Sequence, residues 1–444
     1  MPKYCALSVW PGLFDMVGEV IDVVSEPVDT ARLTGCGPLT PMRPATDAVP
    51  LRQQVFDAVR AHGRVSRAEA ARLLGVSPAS VTAATTELIA AGVVEEIEAP
   101  RDGDTGRGRP PVALAVRPDA GYVAGVKMAN AFHTAVILDF AGGLVAEASI
   151  PAPDHRIAPD ALLDEAARLL DVALDRAGLD RSVLLGVGLG LPGFIDSAHG
   201  LVHWSPIMTV EGFALRDAAA RHLGLPVHLD NDANLVTLAE LWFGDGRGVS
   251  NFAVVTIEHG IGMGLVLNNR LFRGSRGIGT ELGHTKVQLD GALCRCGQRG
   301  CLEAYVADYA LVREASTALD WSPLDGIAPA VLLEQLYAEA KAGNKAARSI
   351  FRRAGRYLAV GIANVINLFD PDVVILSGER MRYDYLYADE VMAELESAAI
   401  RADRPVPRVE IHAWGDLIWA RGAAALALAE ATPDRLTATL EAAT

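Results

Sequence analysis

Glu281-Leu282-Gly283-His284, nine further residues, then Cys294-Arg295-Cys296-Gly297-Gln298-Arg299-Gly300-Cys301-Leu302-Glu303 is the stretch from which the rest of the chain can be read. Three of the five cysteines fall here, with a histidine upstream of them. Zinc favours four thiolate or imidazole ligands in a tetrahedron, and His284, Cys294, Cys296 and Cys301 supply one nitrogen and three sulfurs. Gly297 and Gly300 would let the backbone turn so that Cys301 reaches the same ion. The competing readings are reduced thiols in a loop, or a disulfide. Cysteines as close as Cys294 and Cys296 make a strained bridge, and nothing in the chain signals export to an oxidising compartment. Four protein ligands leave no position for a reactive water, so the expected zinc is structural. Glu281 and Glu303 bracket the motif. Carboxylates held rigidly by such a loop suit the recognition of neighbouring hydroxyls, as on a sugar, because each can accept two hydrogen bonds.

At 444 residues the chain is too long for one ordinary core, so two or three domains are expected. Half of the residues are apolar and 21% are charged, a globular composition. The formal charge of -15 argues against DNA binding by the whole surface, so any DNA contact must be local. No apolar run is long enough to span a bilayer, and the N-terminus lacks a signal pattern, so the expected location is cytoplasmic with no membrane partner.

Residues 1–50 mix Pro, Gly and isolated apolar residues without a period and read as a poorly ordered extension; its Cys5 and Cys36 have no partners at metal spacing. From Leu51 the pattern is helical, with Leu51, Val55 and Val59 at intervals of four. Ser66 and Glu69 form a capping box that opens a short helix, Gly75-Val76 turns the chain, and Ser77-Pro78 starts another helix. Together with two strands, Val93 to Ile97 and Val112 to Val116, this predicts a winged helix-turn-helix DNA-binding domain over 51–117. Val81, Thr85 and Leu88 share the inward face of its recognition helix, leaving Ala79, Ser80, Thr82, Ala83 and Thr86 to face a groove. That set carries no Lys or Arg, so it can offer methyl and phosphate contacts but little Coulombic attraction. Positive charge sits at the wing tip, where Arg107-Gly108-Arg109-Pro110 has the form of an AT-hook core, or is simply a solvated basic loop.

After Pro118 strands and helices alternate. Strands are expected at Tyr122 to Lys127, His133 to Asp139, Leu144 to Ile150, Leu184 to Gly190 and Val227 to Leu229. A second series follows at Phe252 to Ile257, Gly264 to Asn268, Val373 to Leu376 and Val409 to His412. Three antiparallel strands, a helix, a strand and a helix, occurring twice, is the α/β layout of the duplicated actin-like ATPase and sugar-kinase fold, with ligands between the lobes.

The Gly-His and Cys-x-Cys-Gly-x-x-Gly-Cys-x-Glu motif, with Asn231-Asp232-Ala233-Asn234 and an upstream Leu191-Pro192-Gly193, resembles the ROK family of repressors and sugar kinases. The resemblance spans Leu51 to Ala429. A winged helix ahead of a ROK domain over 118–444 looks like the repressor branch, which includes xylose and N-acetylglucosamine repressors. It implies that His284, Cys294, Cys296 and Cys301 hold zinc, and that Gly193, Asn231, Asp232, Glu281, His284 and Glu303 contact a sugar. Asp232 aligns with the general base of the family's kinases. Those kinases carry an Asp-x-Gly-Gly-Thr phosphate loop where this chain has Lys127-Met128-Ala129-Asn130-Ala131, and Gly-Thr-Gly where it has Glu258-His259-Gly260. Losing the glycines removes close backbone approach to phosphate, and Glu258 would repel a polyphosphate.

The expected function is therefore a sugar-responsive transcription regulator with no catalytic residue. It would bind double-stranded operator DNA as a homodimer or tetramer and a monosaccharide or derivative between its lobes. Alternatives are an ATP-dependent sugar kinase carrying a DNA-binding domain, and a regulator controlled by a protein of a sugar-transport system.

Overall fold

The computed structural model describes residues 35–39, 49–98, 112–319, 329–386, 388–400, 407–412, 415 and 417–441. The winged helix opens with α1 (Leu51–His62), α2 (Arg67–Leu74) and α3 (Pro78–Ala90). Ser66 accepts from the Glu69 amide while Glu69 accepts from Ser66, the reciprocal cap expected. Ser77 caps α3 by accepting from the Ser80 amide, and Pro78 sits in its first turn. The wing pairs β1 (Val94–Glu98) with β2 (Val112–Val116) in antiparallel register, Val94 opposite Val116. The wing tip, with Arg107 and Arg109, lies outside the described residues.

The first half of the ROK-like region runs β3 (Tyr122–Lys127), β4 (Phe132–Asp139), β5 (Leu144–Pro151), α4 (Pro159–Ala177), β6 (Leu184–Leu191), β7 (Phe194–Asp196), β8 (Leu201–Trp204), α5 (Leu215–Leu223), β9 (Val227–Asn231) and α6 (Asp232–Phe243). The second half runs β10 (Phe252–Ile257), β11 (Ile261–Leu267), β12 (Arg270–Phe272), α7 (Glu303–Val306), α8 (Asp308–Ala318), α9 (Pro329–Lys341), α10 (Lys345–Phe369), β13 (Val373–Ser377), α11 (Asp389–Ala398), β14 (Arg408–Ile411) and α12 (Ile418–Glu441). The sheet orders β5-β4-β3-β6-β9 and β12-β11-β10-β13-β14 are the same arrangement twice, an antiparallel meander continued by two parallel strands. Among the described residues no single helix is long and apolar enough to cross a membrane.

Helices α6 and α12 lie between the two sheets, their buried Leu235, Trp242, Trp419 and Ala423 sharing one core with Val136 of the first sheet and Val254 of the second. Close approach depends on missing side chains. A Cβ on Gly188 would collide with the Ala423 carbonyl of α12, and one on Gly422 with the Leu235 carbonyl of α6. The same effect corrects the expected start of β11. The strand expected from Gly264 begins at Ile261, and Gly262 and Gly264 are the positions over which Ala233 and Thr237 of α6 pack. The β7–β8 hairpin and β12, each too short to show a period, were not expected.

The reading of residues 1–50 as loosely ordered fails at Gly35–Leu39. Cys36 is buried, its amide donates to the Arg60 carbonyl of α1 at 3.0 Å, and its thiol donates to the Ala141 carbonyl at 3.1 Å. The Gly37 amide donates to the Trp242 carbonyl and the Leu39 amide to the Arg247 carbonyl. Arg247, itself buried, donates to the carbonyls of Gly37 and Ala61. These five residues are a strap clamped between the winged helix and the sheet domain. Isolated polar pairings of this kind leave no periodic trace in sequence. Cys5 and the rest of 1–48 lie outside the described residues.

Candidate functional site

The candidate site is built from strand ends and helix starts. β6 runs into Pro192-Gly193, and Gly193 holds φ +129° where a Cβ would strike the Trp204 carbonyl. β9 ends at Asn231, which caps α6 by accepting from the Asn234 amide at 2.8 Å. Asp232, the first residue of α6, accepts from the Ala233 amide at 2.9 Å. Burial raises its carboxyl above the usual range, while nearby Lys127 works in the opposite direction. Glu281 is pushed up to about 7 by burial and then by the charges of Asp232 and Glu303. Asp232 and Glu303 are thus near enough for their charges to act on Glu281, although 71 residues separate the first from the last.

Three contributors escaped the sequence reading. Asp230 is buried and braces the site, accepting from the Asn231 amide, from Asn234 Nδ2 at 2.7 Å and from Arg273 Nε at 2.7 Å. Phe194 lies 5.8 Å from Trp204 and 6.0 Å from the His284 ring, forming an aromatic wall; Trp204 remains partly exposed beside Gly193. An aromatic beside a glycine turn was the available signal.

The His284, Cys294, Cys296 and Cys301 ligand atoms all lie within 4.8 Å of one another. Cys296 Sγ is 3.7 Å from Cys301 Sγ, and Cys294 Sγ is 3.8 Å from His284 Nδ1. Tetrahedral arms of roughly 2.3 Å place neighbouring sulfurs about 3.8 Å apart, whereas a disulfide needs about 2 Å. The set fits a tetrahedral metal. Gly297 at φ +84° and Gly300 at φ +75° make the turn between its ligands, as their spacing predicts. Glu303 Oε1 lies 3.5 Å from Cys294 Sγ and accepts from the Tyr309 hydroxyl at 3.4 Å, so the metal loop and the cleft carboxylate are one unit.

The segments around residues 127–131 and 258–260 make contacts of their own. Lys127 Nζ sits 3.5 Å above the Trp419 ring, and the Ala129 amide donates to His133 Nδ1 at 3.1 Å. In the second loop His259 pairs with Asp308 at 2.9 Å, and Arg380 grips the same carboxylate with two bonds of 2.6 Å. Burial lowers the His133 imidazole from 6.5 to about 4, so it stays neutral in the fold and takes up a proton on unfolding. Between those values the unfolded chain binds the extra proton, so stability is present above pH 6.5 and declines as pH falls toward 4. From pH 7 to pH 5 this one group should cost about 2 kcal/mol. Urea midpoints at the two pH values should therefore differ less in His133→Asn, whose amide oxygen can replace Nδ1; an equal difference would refute the assignment.

On the winged helix, Ala79, Thr82, Ala83 and Thr86 of α3 are exposed and Ser80 is half-buried, while Val81, Ala84, Thr85 and Leu88 face the core. The Thr82 and Thr86 hydroxyls donate to the Pro78 and Thr82 carbonyls. Exposed Glu87 adds an acidic group next to that face.

Residues 123–430 match the ROK family. The chain belongs to the ROK family. The xylose repressor of Caldicellulosiruptor bescii is 26% identical over 377 residues, covering 82% of this chain and 92% of the relative. A crystal structure of a ROK family transcriptional regulator, a homolog of the E. coli MLC protein, superposes with a TM-score of 0.72 at 25% identity, covering 88% of this chain and 98% of that one. The ROK hexokinase from Thermus thermophilus reaches a TM-score of 0.59 at 31% identity, covering 70% of this chain and 99% of its own. The regulators therefore match this chain over more of its length than the kinase does.

Proposed function

We propose that this ROK protein is a sugar-responsive, DNA-binding transcriptional repressor of carbohydrate metabolism genes, without kinase activity. Its winged helix binds a two-fold operator through α3 and the wing, which requires at least a homodimer. A monosaccharide or derivative binds between the lobes at Gly193, Asn231, Asp232, Glu281, His284 and Glu303. Zinc on His284, Cys294, Cys296 and Cys301 acts as a structural pin for the last three. The observation that carries this reading is the contrast within one cleft: sugar-type carboxylates converge at Asp232, while Lys127 and His259 are tied down where phosphate would be cradled. Phosphoryl transfer depends on neutralising and positioning phosphate, which this arrangement does not provide.

Sugar can act only by favouring one arrangement of the winged helices; a hundredfold preference shifts that equilibrium by about 2.7 kcal/mol. A thermal-shift screen of monosaccharides and their phosphates on zinc-loaded protein should find a ligand, and calorimetry with millimolar ATP should find no binding. ATP-dependent phosphorylation of a bound hexose would overturn the reading in favour of a kinase. Operator release by a sugar-transport protein with no response to free sugars would overturn it in favour of protein control.

Asp232→Asn should weaken sugar binding at least tenfold, about 1.4 kcal/mol, with operator affinity of the sugar-free protein unchanged; equal losses in both would mean a general structural role. Arg107→Ala combined with Arg109→Ala should weaken operator binding most at A·T-rich flanks and make it less steeply salt-dependent. An unaltered salt slope would exclude the wing tip from the interface.

A further inference from the structure

A second group of side chains that could hold a metal is formed by α6, the turn at Asp245 and the end of β14. Glu410 near the end of β14 and His412 just beyond it are two residues apart, so both project from the same side of this edge strand. His412 Nδ1 is 2.8 Å from Glu240 Oε1, a carboxylate in α6 with no solvent exposure. Its Nε2 lies 3.1 Å from Asp245 Oδ2 and 3.9 Å from Glu410 Oε2. One ligand atom from each of Asp245, Glu410 and His412 falls within 4.8 Å of the others.

A histidine whose second nitrogen is held by a buried carboxylate is the usual support of a metal ligand, because it fixes ring orientation and raises basicity. Ligands on arms of roughly 2.1 Å at right angles sit about 3 Å apart, close to the His412–Asp245 separation. Asp245 is 69% exposed, so the set opens to solvent on one side and leaves room for water ligands. We propose that Asp245, Glu410 and His412 bind a divalent first-row transition cation at a second metal site, with Glu240 as its positioning residue. Imidazole with carboxylates accepts such cations, whereas the three-cysteine loop selects a softer partner.

The location gives this site a consequence. Asp245 opens the turn Asp245–Gly248, and Arg247 in that turn holds the Gly37 and Ala61 carbonyls. A cation tying the turn to β14 and α6 would stiffen the mount of the winged helix. In its absence a proton can occupy the same place. Proton and cation compete for Nε2, so cation affinity should fall with pH.

The test is Mn2+ and Ni2+ binding to the full zinc-loaded chain, by electron paramagnetic resonance and equilibrium dialysis. One cation per chain is expected at pH 8, held at least tenfold more weakly at pH 6 and in each of Asp245→Asn, Glu410→Gln and His412→Gln, with zinc content unchanged. Asp245→Asn, at an exposed position, should keep the wild-type melting temperature when cation is absent. Uptake of neither cation, or uptake undiminished by the three substitutions, would overturn the proposal.

Discussion

Replacing Cys301 with serine is expected to strip the chain of zinc and to reduce sugar affinity by more than a hundredfold. Cys301 is fully buried at the base of the metal loop, 3.7 Å from Cys296 Sγ, and receives a hydrogen bond from Lys286 Nζ at 2.9 Å. Serine is a poor zinc ligand, and structural zinc in small peptides contributes roughly 10–16 kcal/mol of apparent binding energy. On the proposed reading that energy would order a loop carrying Glu281, His284 and Glu303. Without it those groups must be ordered by the sugar itself, and a hundredfold loss corresponds to about 2.7 kcal/mol of ordering cost. Metal analysis and calorimetry check both parts. Cys296→Ser, at an exposed ligand, should lose metal less completely. A metal-free Cys301→Ser protein with a normal sugar response would show that the loop holds its shape unaided.

Arg60→Ala should uncouple operator binding from sugar while sparing sugar binding itself. One buried guanidinium joins the winged helix to the two helices between the sheets. It donates to Thr432 of α12 at 2.8 Å and to Asp57 at 2.9 Å, and lies 4.7 Å from the Trp242 ring of α6 and 5.1 Å from that of Phe56. Truncation leaves a cavity, removes the hydrogen bond to Thr432, whose hydroxyl still donates to the Leu428 carbonyl at 2.5 Å, and removes two cation–π contacts, on the order of 3 kcal/mol together. Asp57 is a third exposed and can recover water, which limits the penalty. The loss falls on the docking surface, because α1 to α3 keep their own packing through Val55, Val81 and Leu88. Mobility shifts with and without sugar should then coincide. A variant whose operator affinity still answered to sugar as in the wild type would place the coupling elsewhere.

The parts legible in sequence were those with local signals. Ser66 with Glu69, Ser77 with Pro78, and Asn231 ahead of α6 announce helix starts, and the structure places caps at each. The clustering of His284, Cys294, Cys296 and Cys301 was legible because all four and two glycines sit in one short segment. Long-range pairings were not. Arg247 reads as an ordinary surface arginine in an Asp-Gly-Arg-Gly turn, and only the fold brings Gly37 and Ala61 to it. Asp230 carries no local signal of its own, yet Arg273 and Asn234 both donate to it once the chain is folded. Asp232 and Glu281 each appeared in the motif reading, but their mutual charge effect, which raises Glu281, exists only once the lobes are assembled.

The strap at Gly35–Leu39 precedes α1 in the chain, and on the far side of the wing the Pro118 carbonyl accepts from the Phe140 amide at 3.1 Å while Ala120 accepts from Arg435 at 3.0 Å. The DNA-reading head is thus tethered at entry and at exit, like a trapdoor rather than a bead on a string. Between those anchors it shares one core with the sheets, Phe56 lying 5.3 Å from Phe140. In a two-fold assembly such heads would present a fixed reach, so operators with a base pair inserted between half-sites should be rejected rather than accommodated.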